Sequence, residues 1–200
     1  ILNNDTIVDA NALQHLQQTP WDIAVPKILF HNHPNIIWAA GARWRRFPPS
    51  VVMVGYKQPD NAKYDQPKPL TYATGCVLFV KRTVFEQIGG FDPDFGSYME
   101  DYDFCHRAIQ AGFTIGYTPN ARILHKVSLT LGENSPKKSW YLGRNTVLFY
   151  RKQSRFSQWE LWIALLWTSV RELLKFQGYP LREFWRGVQS GFHLLHSKTP

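Results

Sequence analysis

The chain has 200 residues, is 44% hydrophobic and 15% aromatic, and carries a formal charge of +8 at pH 7. That composition excludes a disordered or low-complexity chain and suffices for one domain with a sizeable core. Two cysteines, Cys76 and Cys105, form no spacing motif. They read as reduced core thiols, not as a disulfide framework or a zinc site.

Ile1 to Thr6 reads as the end of a strand followed by an acidic turn, Asn3-Asn4-Asp5. Asp9 is the expected N-cap of a helix over Ala10 to Gln18, with Leu13 and Leu16 on one face. Trp21 to Phe47 reads as strand and loop. Pro34 and Asn35 put HNHPN in a turn, so His31 and His33 are not expected to share a metal. Pro48 to Pro69 reads as a hairpin around VVMVG and a long surface loop. Leu70 to Val80 (LTYATGCVLFV) is predicted as a strand entering a buried run. Gly75 in its middle is the kind of position where a ligand or a backbone comes close. Arg82 to Ile88 is a short predicted helix, ended by Gly89 and Gly90 and followed by the turn Phe91 to Asp94.

Gly96 to His125 is the stretch richest in chemistry. Glu100, Asp101 and Asp103 form an acidic cluster, and Ala108 and Ile109 fall four after Phe104 and Cys105. The spacing predicts an amphipathic helix with the cluster on its first turn. There the positive helix end favours ionised carboxylates. The bland reading is a solvated, capping first turn. Gly112 ends the helix, a short strand Phe113 to Tyr117 follows, and a second extended piece, ARILH, closes at His125.

Ser135 to Lys152 is a predicted helix carrying Trp140, Tyr141, Arg144, Asn145, Leu148 and Phe149. Phe156 to Phe176 is another, with apolar residues at spacings of 3, 4 and 7. Its longest uncharged run, Leu161 to Val170, is ten residues; a membrane span needs about twenty. A last helix is predicted over Leu181 to Leu195. The final fifty residues hold eight basic and three acidic side chains. Such a tail suits nucleic acid, an anionic membrane surface or a phosphate-rich substrate. Two amphipathic helices rich in Trp and Arg suit a membrane surface, or pack on the domain or a second subunit. No RNP, zinc or helix-turn-helix pattern supports nucleic acid.

Five motifs, LNNDT, TGCVLFVKRTVFEQIGGFD, MEDYDFCHRA, PNARILHKVS and YLGRNTVLFYRK, stand in order along the chain. Together they resemble the ordered signature of family 2 glycosyltransferases, inverting enzymes of the GT-A fold, and above all the bacterial rhamnosyltransferase-like group. The resemblance covers roughly residues 1 to 152. It implies an α/β fold in which residues 1–152 are the C-terminal part of a GT-A catalytic domain, without its nucleotide-binding half. Residues 153–200 would be an amphipathic helical extension.

The resemblance also implies roles. Asp5 matches the last acid of a DxD-like motif, here Asn3-Asn4-Asp5, which binds the donor diphosphate through Mg²⁺ or Mn²⁺. One carboxylate stands where some relatives have two, so weaker metal binding is expected. His125 matches a further metal ligand. Gly75 and Cys76 are candidate neighbours of the donor sugar, and Arg144 of the diphosphate. Asp101 is the expected base that takes the acceptor proton, with Glu100 orienting the acceptor or sharing that catalytic role. Asp103 belongs to the acceptor side or pairs with Arg107, four residues on. The loop Lys126 to Asn134 is expected to close over the donor.

The implied reaction moves a sugar from a nucleotide-diphosphate sugar to an acceptor hydroxyl with inversion, in bacterial cell-surface polysaccharide or glycolipid synthesis. The acceptor is a saccharide or a lipid-linked saccharide. The implied location is cytoplasmic, peripheral at the inner face of the cell membrane, with residues 156–195 meeting a membrane or a second copy. The alternatives are a non-catalytic membrane-surface or nucleic-acid binding module and an inactive fragment of the enzyme.

Overall fold

The computed structural model describes residues 1–126, 135–153, 155–174 and 181–196. In chain order the elements begin with β1 (Thr6–Val8), α1 (Ala12–Gln17), β2 (Ile23–Phe30), β3 (His33–Ala39), β4 (Ala42–Arg45) and β5 (Ser50–Met53). A 3-10 turn at Ala62–Tyr64 precedes β6 (Lys68–Pro69), β7 (Phe79–Val80), α2 (Arg82–Ile88), α3 (Glu100–Gln110) and β8 (Ile115–His125). Three helices follow: α4 (Pro136–Lys152), α5 (Gln158–Leu174) and α6 (Leu181–His196). The fold is mixed α/β, with helices after the sheet.

Two compact units form. The first holds Ile1–Arg45, Ser50–Phe91 and the chain from Asp101 through β8. Its centre is the parallel pair β2 and β8, matched from Ile23↔Ile115 to Phe30↔His125 with one shift of register between. β2 is buried almost end to end, as a central strand covered on both faces must be. Its one charged residue, Lys27, is 1% exposed and donates to Asp60 at 2.8 Å and Asp65 at 2.5 Å. Each outer edge is shared by two short antiparallel strands. β3 and β7 line β2, and β1 and β6 line β8. β4 and β5 make a separate hairpin. Ala12, Leu16, Ile28, Cys76, Val77 and Ile123 are among the residues that pack the core of this unit.

The second unit holds Arg46–Pro49, Asp92–Glu100 and the helices from α4 onward. Ser135 caps α4 by accepting from the Lys138 amide at 3.2 Å, and Pro136 opens the helix where its missing N–H costs nothing. α4 and α6 approach to backbone contact, and only glycine permits this. A Cβ at Gly143 would lie 2.0 Å from the Phe184 carbonyl oxygen, and one at Gly187 2.0 Å from that of Trp140. Within this unit α4 packs with α5 and α6.

Several local expectations are corrected. Leu70 to Leu78 is not a continuous strand: Phe79–Val80 pairs with β2, while Tyr72 and Val77 make only single bridges, to Ala42 and Leu2. The reason is that side chains take its backbone donors: Ala73 N–H goes to Cys105 Sγ, Gly75 N–H to Asp101 and Cys76 N–H to Thr74 Oγ1. The two extended pieces before His125 are one strand, β8. Its pairing slips between Pro26↔Thr118 and Lys27↔Arg122, where Pro119 can give no ladder bond. Asn11, not Asp9, is the N-cap of α1; the Asp9 carboxylate instead accepts from Asn11 N–H at 3.1 Å. The turn after β2 is at His31 and Asn32, and β3 already begins at His33. Ile109 is exposed, while Tyr102, Phe104, Cys105 and Ala108 bury the inner face of α3.

Candidate functional site

In the first unit the chain start and the end of β8 come together. Leu2 bridges to Val77, and Asn3 N–H donates to the Cys76 carbonyl at 3.0 Å. Thr6 lies opposite His125, and Lys126 N–H donates to the Asp5 carbonyl at 2.8 Å. This ladder sets the Asp5 carboxylate 3.3 Å from His125 Nε2. His125 is buried, and Trp38 stands edge-on to its ring at 4.6 Å. Burial pulls the imidazole pKa below its ordinary value, although the Asp5 charge opposes this. The ring is therefore neutral at pH 7, the form that ligates metals. Its Nδ1 has no hydrogen-bond partner among the described residues. Asn3 and Asn4 expose their side chains beside this pair.

Asp101 is held at the next backbone position along. Its Oδ2 accepts from the Tyr72 hydroxyl at 2.6 Å and from Gly75 N–H at 2.7 Å, and its Oδ1 accepts from Tyr102 N–H at 2.8 Å. The residue stays partly open at its surface. Loss of water around the carboxyl raises its pKa, against the pull of those donors. The sequence reading expected the helix end to favour the ionised form. Burial outweighs it here. A Cβ on Gly75 would come 3.3 Å from the Asp101 carboxylate, so glycine is what lets this loop close on it. Cys76 is buried, and its thiol is pushed up to about 12 by burial and then by the Asp5 charge. It is a neutral thiol, unsuited to be a nucleophile.

Asp5 with His125, and Asp101 with Tyr72, thus meet the consecutive residues Cys76 and Gly75. Asp103 lies elsewhere on α3. It is buried and pairs with Arg107 Nε at 2.7 Å, and the same guanidinium donates to the carbonyls of Ile88 and Gly90. It ties α3 to the end of α2.

In the second unit α4 grips the loop that leads to Glu100. Asn145 is fully buried, and its amide nitrogen donates to the carbonyls of Phe95 at 2.9 Å, Ser97 at 2.7 Å and Tyr98 at 2.6 Å. Arg144 donates to Phe95 at 3.3 Å and to Asn145 Oδ1 at 2.9 Å, and lies over the Trp140 ring. Lys152 holds Asp92 and Asp94. The gripped loop bends through two left-handed residues, Tyr98 (φ 66°) and Met99 (φ 68°), just before Glu100. Such backbone strain persists only where the surroundings enforce it. Glu100 adds to burial in raising the Tyr98 phenol.

Sequence reasoning missed Tyr72, Trp38 and the clamp made by Asn145. Tyr72 sits three residues before Gly75 in a stretch already marked, but a strand reading sends it to the wrong role. The loop expected to close over the donor lies, for residues 127–134, outside the described residues.

A family model described as glycosyl transferase family group 2 matches residues 1–195. Curated proteins from two strains of Mycobacterium tuberculosis, each named N-acetylglucosaminyl-diphospho-decaprenol L-rhamnosyltransferase, are 34% identical over 102 residues. That stretch is 50% of this chain and 32% of theirs. The low-salt glycan biosynthesis hexosyltransferase Agl10 of Haloferax volcanii is 29% identical over 116 residues, 54% of this chain and 38% of its own. The matched stretches thus span between about a third and two fifths of these relatives' length.

Proposed function

The chain belongs to glycosyl transferase family group 2, and from that premise we propose that it carries the acceptor and metal side of an inverting glycosyl transfer. The donor is a nucleotide-diphosphate sugar. The acceptor is a hydroxyl of a saccharide or lipid-linked saccharide, in synthesis of a cell-surface glycan at the cytoplasmic face of the membrane. The relatives named above act as rhamnosyl- and hexosyltransferases, which supports sugar transfer here.

The observation that carries this reading is the Asp101 carboxylate. It is dehydrated enough to take a proton readily, yet three donors keep it oriented and available as the anion. A general base needs that balance. The acceptor O–H proton passes to Asp101 as the acceptor oxygen bonds the anomeric carbon. The bond from that carbon to the diphosphate breaks on the opposite face, and the diphosphate leaves. Tyr72 and Gly75 position the base. Glu100, set by the loop that Asn145 clamps, orients the acceptor. Asp103 has a structural role through Arg107.

The donor set at Asp5 and His125 fits a divalent cation that leaves most of its coordination to substrate oxygens and water. No group of three His, Cys, Asp or Glu side chains placed to hold a metal occurs among the described residues. An imidazole nitrogen favours Mn²⁺ over Mg²⁺. The cation's chemistry would be to hold charge on the departing diphosphate. Asn3, Asn4, Gly75 and Cys76 line the sugar side, and Arg144 is assigned to the diphosphate.

Asp101→Asn in the intact enzyme tests the reading. Donor binding stays near normal, and turnover falls by on the order of a hundredfold or more. Turnover at the wild-type level places the base elsewhere.

A further inference from the structure

We propose that Tyr98 is a further acceptor-binding residue, and that its phenol O–H and the Glu100 carboxylate together hold one hydroxyl of a saccharide acceptor. The inference deepens the reading above and rests on it for the class of acceptor.

The backbone at this position is held against its preference. Tyr98 is left-handed (φ 66°), and so is Met99 after it (φ 68°). L side chains disfavour that region, so two in succession need enforcement. Asn145 supplies it by donating to the carbonyls of Ser97 and Tyr98. An ordinary right-handed or extended backbone at residue 98 would aim the ring in another direction. The ring itself is also fixed. It packs on Tyr141, with centroids 6.1 Å apart, and the Lys138 ammonium lies over it at 6.0 Å. Tyr141 and Lys138 stand on α4, the helix that carries Asn145. One element therefore sets both the backbone and the ring.

The hydroxyl so presented has nothing to bond. Tyr98 is half-buried, and its phenol makes no hydrogen bond among the described residues. Burial and then the nearby Glu100 charge raise its pKa, so it keeps its proton at pH 7. The phenol thus lies near enough to feel the carboxylate without bonding it. A group placed between the two must accept from the phenol and donate to the carboxylate. A hydroxyl does both, an ether or carbonyl oxygen cannot donate, and an ammonium cannot accept. Aromatic rings with a few convergent polar groups are also what a site for a ringed polyol needs.

The test is saturation-transfer NMR on the intact enzyme without donor. The probes are the methyl glycosides of glucose, galactose, rhamnose and N-acetylglucosamine. Wild type binds at least one of them. Tyr98→Phe keeps the ring and the wild-type melting temperature, because the hydroxyl has no partner to lose, and weakens that binding by about fivefold. Glu100→Gln weakens it as well, and in the double variant the two losses do not add, because both groups hold the same hydroxyl. Equal binding by wild type and Tyr98→Phe overturns the proposal, as does binding of no probe by wild type. Fully additive losses overturn it too, since the two groups then act on separate atoms. Wild-type turnover in Asp101→Asn would fault the reading above without touching these binding results, so the two fail separately.

Discussion

The sheet unit buries ionisable side chains, whereas the helical unit sets an apolar stripe of α5 in solvent. Lys27, Asp103 and His125 are buried, and Asp101 is stripped of much of its water. Trp159, Leu166 and Leu173 stand in solvent. Both inversions run against the ordinary sorting of residues by burial, and each costs stability unless something compensates. Inside the first unit the compensation is visible as ion pairs and hydrogen bonds. On α5 no such compensation is visible among the described residues. Buried polarity is held either by structural ion pairs, as at Lys27 and Asp103, or by the donors around Asp101, and the pairing partners separate the two cases.

Neighbouring residues on α5 break or sharpen this contrast most strongly. Leu165 is fully buried and Leu166 is 64% exposed. Leu165→Ala is expected to destabilise the chain by about 2–5 kcal/mol in chemical unfolding. A small loss there would mean that α5 does not pack as described. Next comes the polar clamp of the helical unit. Asn145→Ala removes four hydrogen bonds from a fully buried site, three donated and one accepted from Arg144, and costs about 1–3 kcal/mol in the same assay. Because Asn145 shapes the loop before Glu100, the variant also raises the acceptor KM. An unchanged KM would separate the clamp from acceptor positioning. A similar effect is expected for the metal pair. His125→Ala or Asp5→Asn weakens Mn²⁺ binding by about tenfold or more, read by calorimetry in the presence of donor. Equal affinity in all three proteins removes the cation from this site. Smallest is Leu166→Ala, expected to stay within about 0.5 kcal/mol of wild type.

The parts legible in sequence were those that a repeat or a stop signal announces. α2 falls on Arg82–Ile88 as expected, with Gly89 at its end. The helices α4 and α6 lie within one residue of their expected spans. Periodicity shows that a helix has an apolar face but not which way it turns. On α5 two faces were folded into one pattern, and only the structure separates buried Leu161, Ala164 and Leu165 from exposed Trp159, Trp162 and Leu166. The Asp101 cradle was hidden for another reason. Its partners Tyr72 and Gly75 are 29 and 26 residues away, and no local rule links them. The same bonds unmade the expected strand over 70–78. The glycine contacts of α4 with α6 were likewise invisible, since Gly143 and Gly187 inside helices read only as weak points.

The acid limb of the kcat/KM profile, measured for the intact enzyme and for Tyr72→Phe, tests the central claim most directly. Burial raises the Asp101 carboxyl above the ordinary 3.8, while the Tyr72 hydrogen bond pulls it down. The base works only when ionised, so activity falls as pH drops through that raised value. Without the Tyr72 hydroxyl the anion loses a donor, its pKa climbs, and the limb moves to higher pH. A limb that stays in place, or moves to lower pH, contradicts Asp101 as the base.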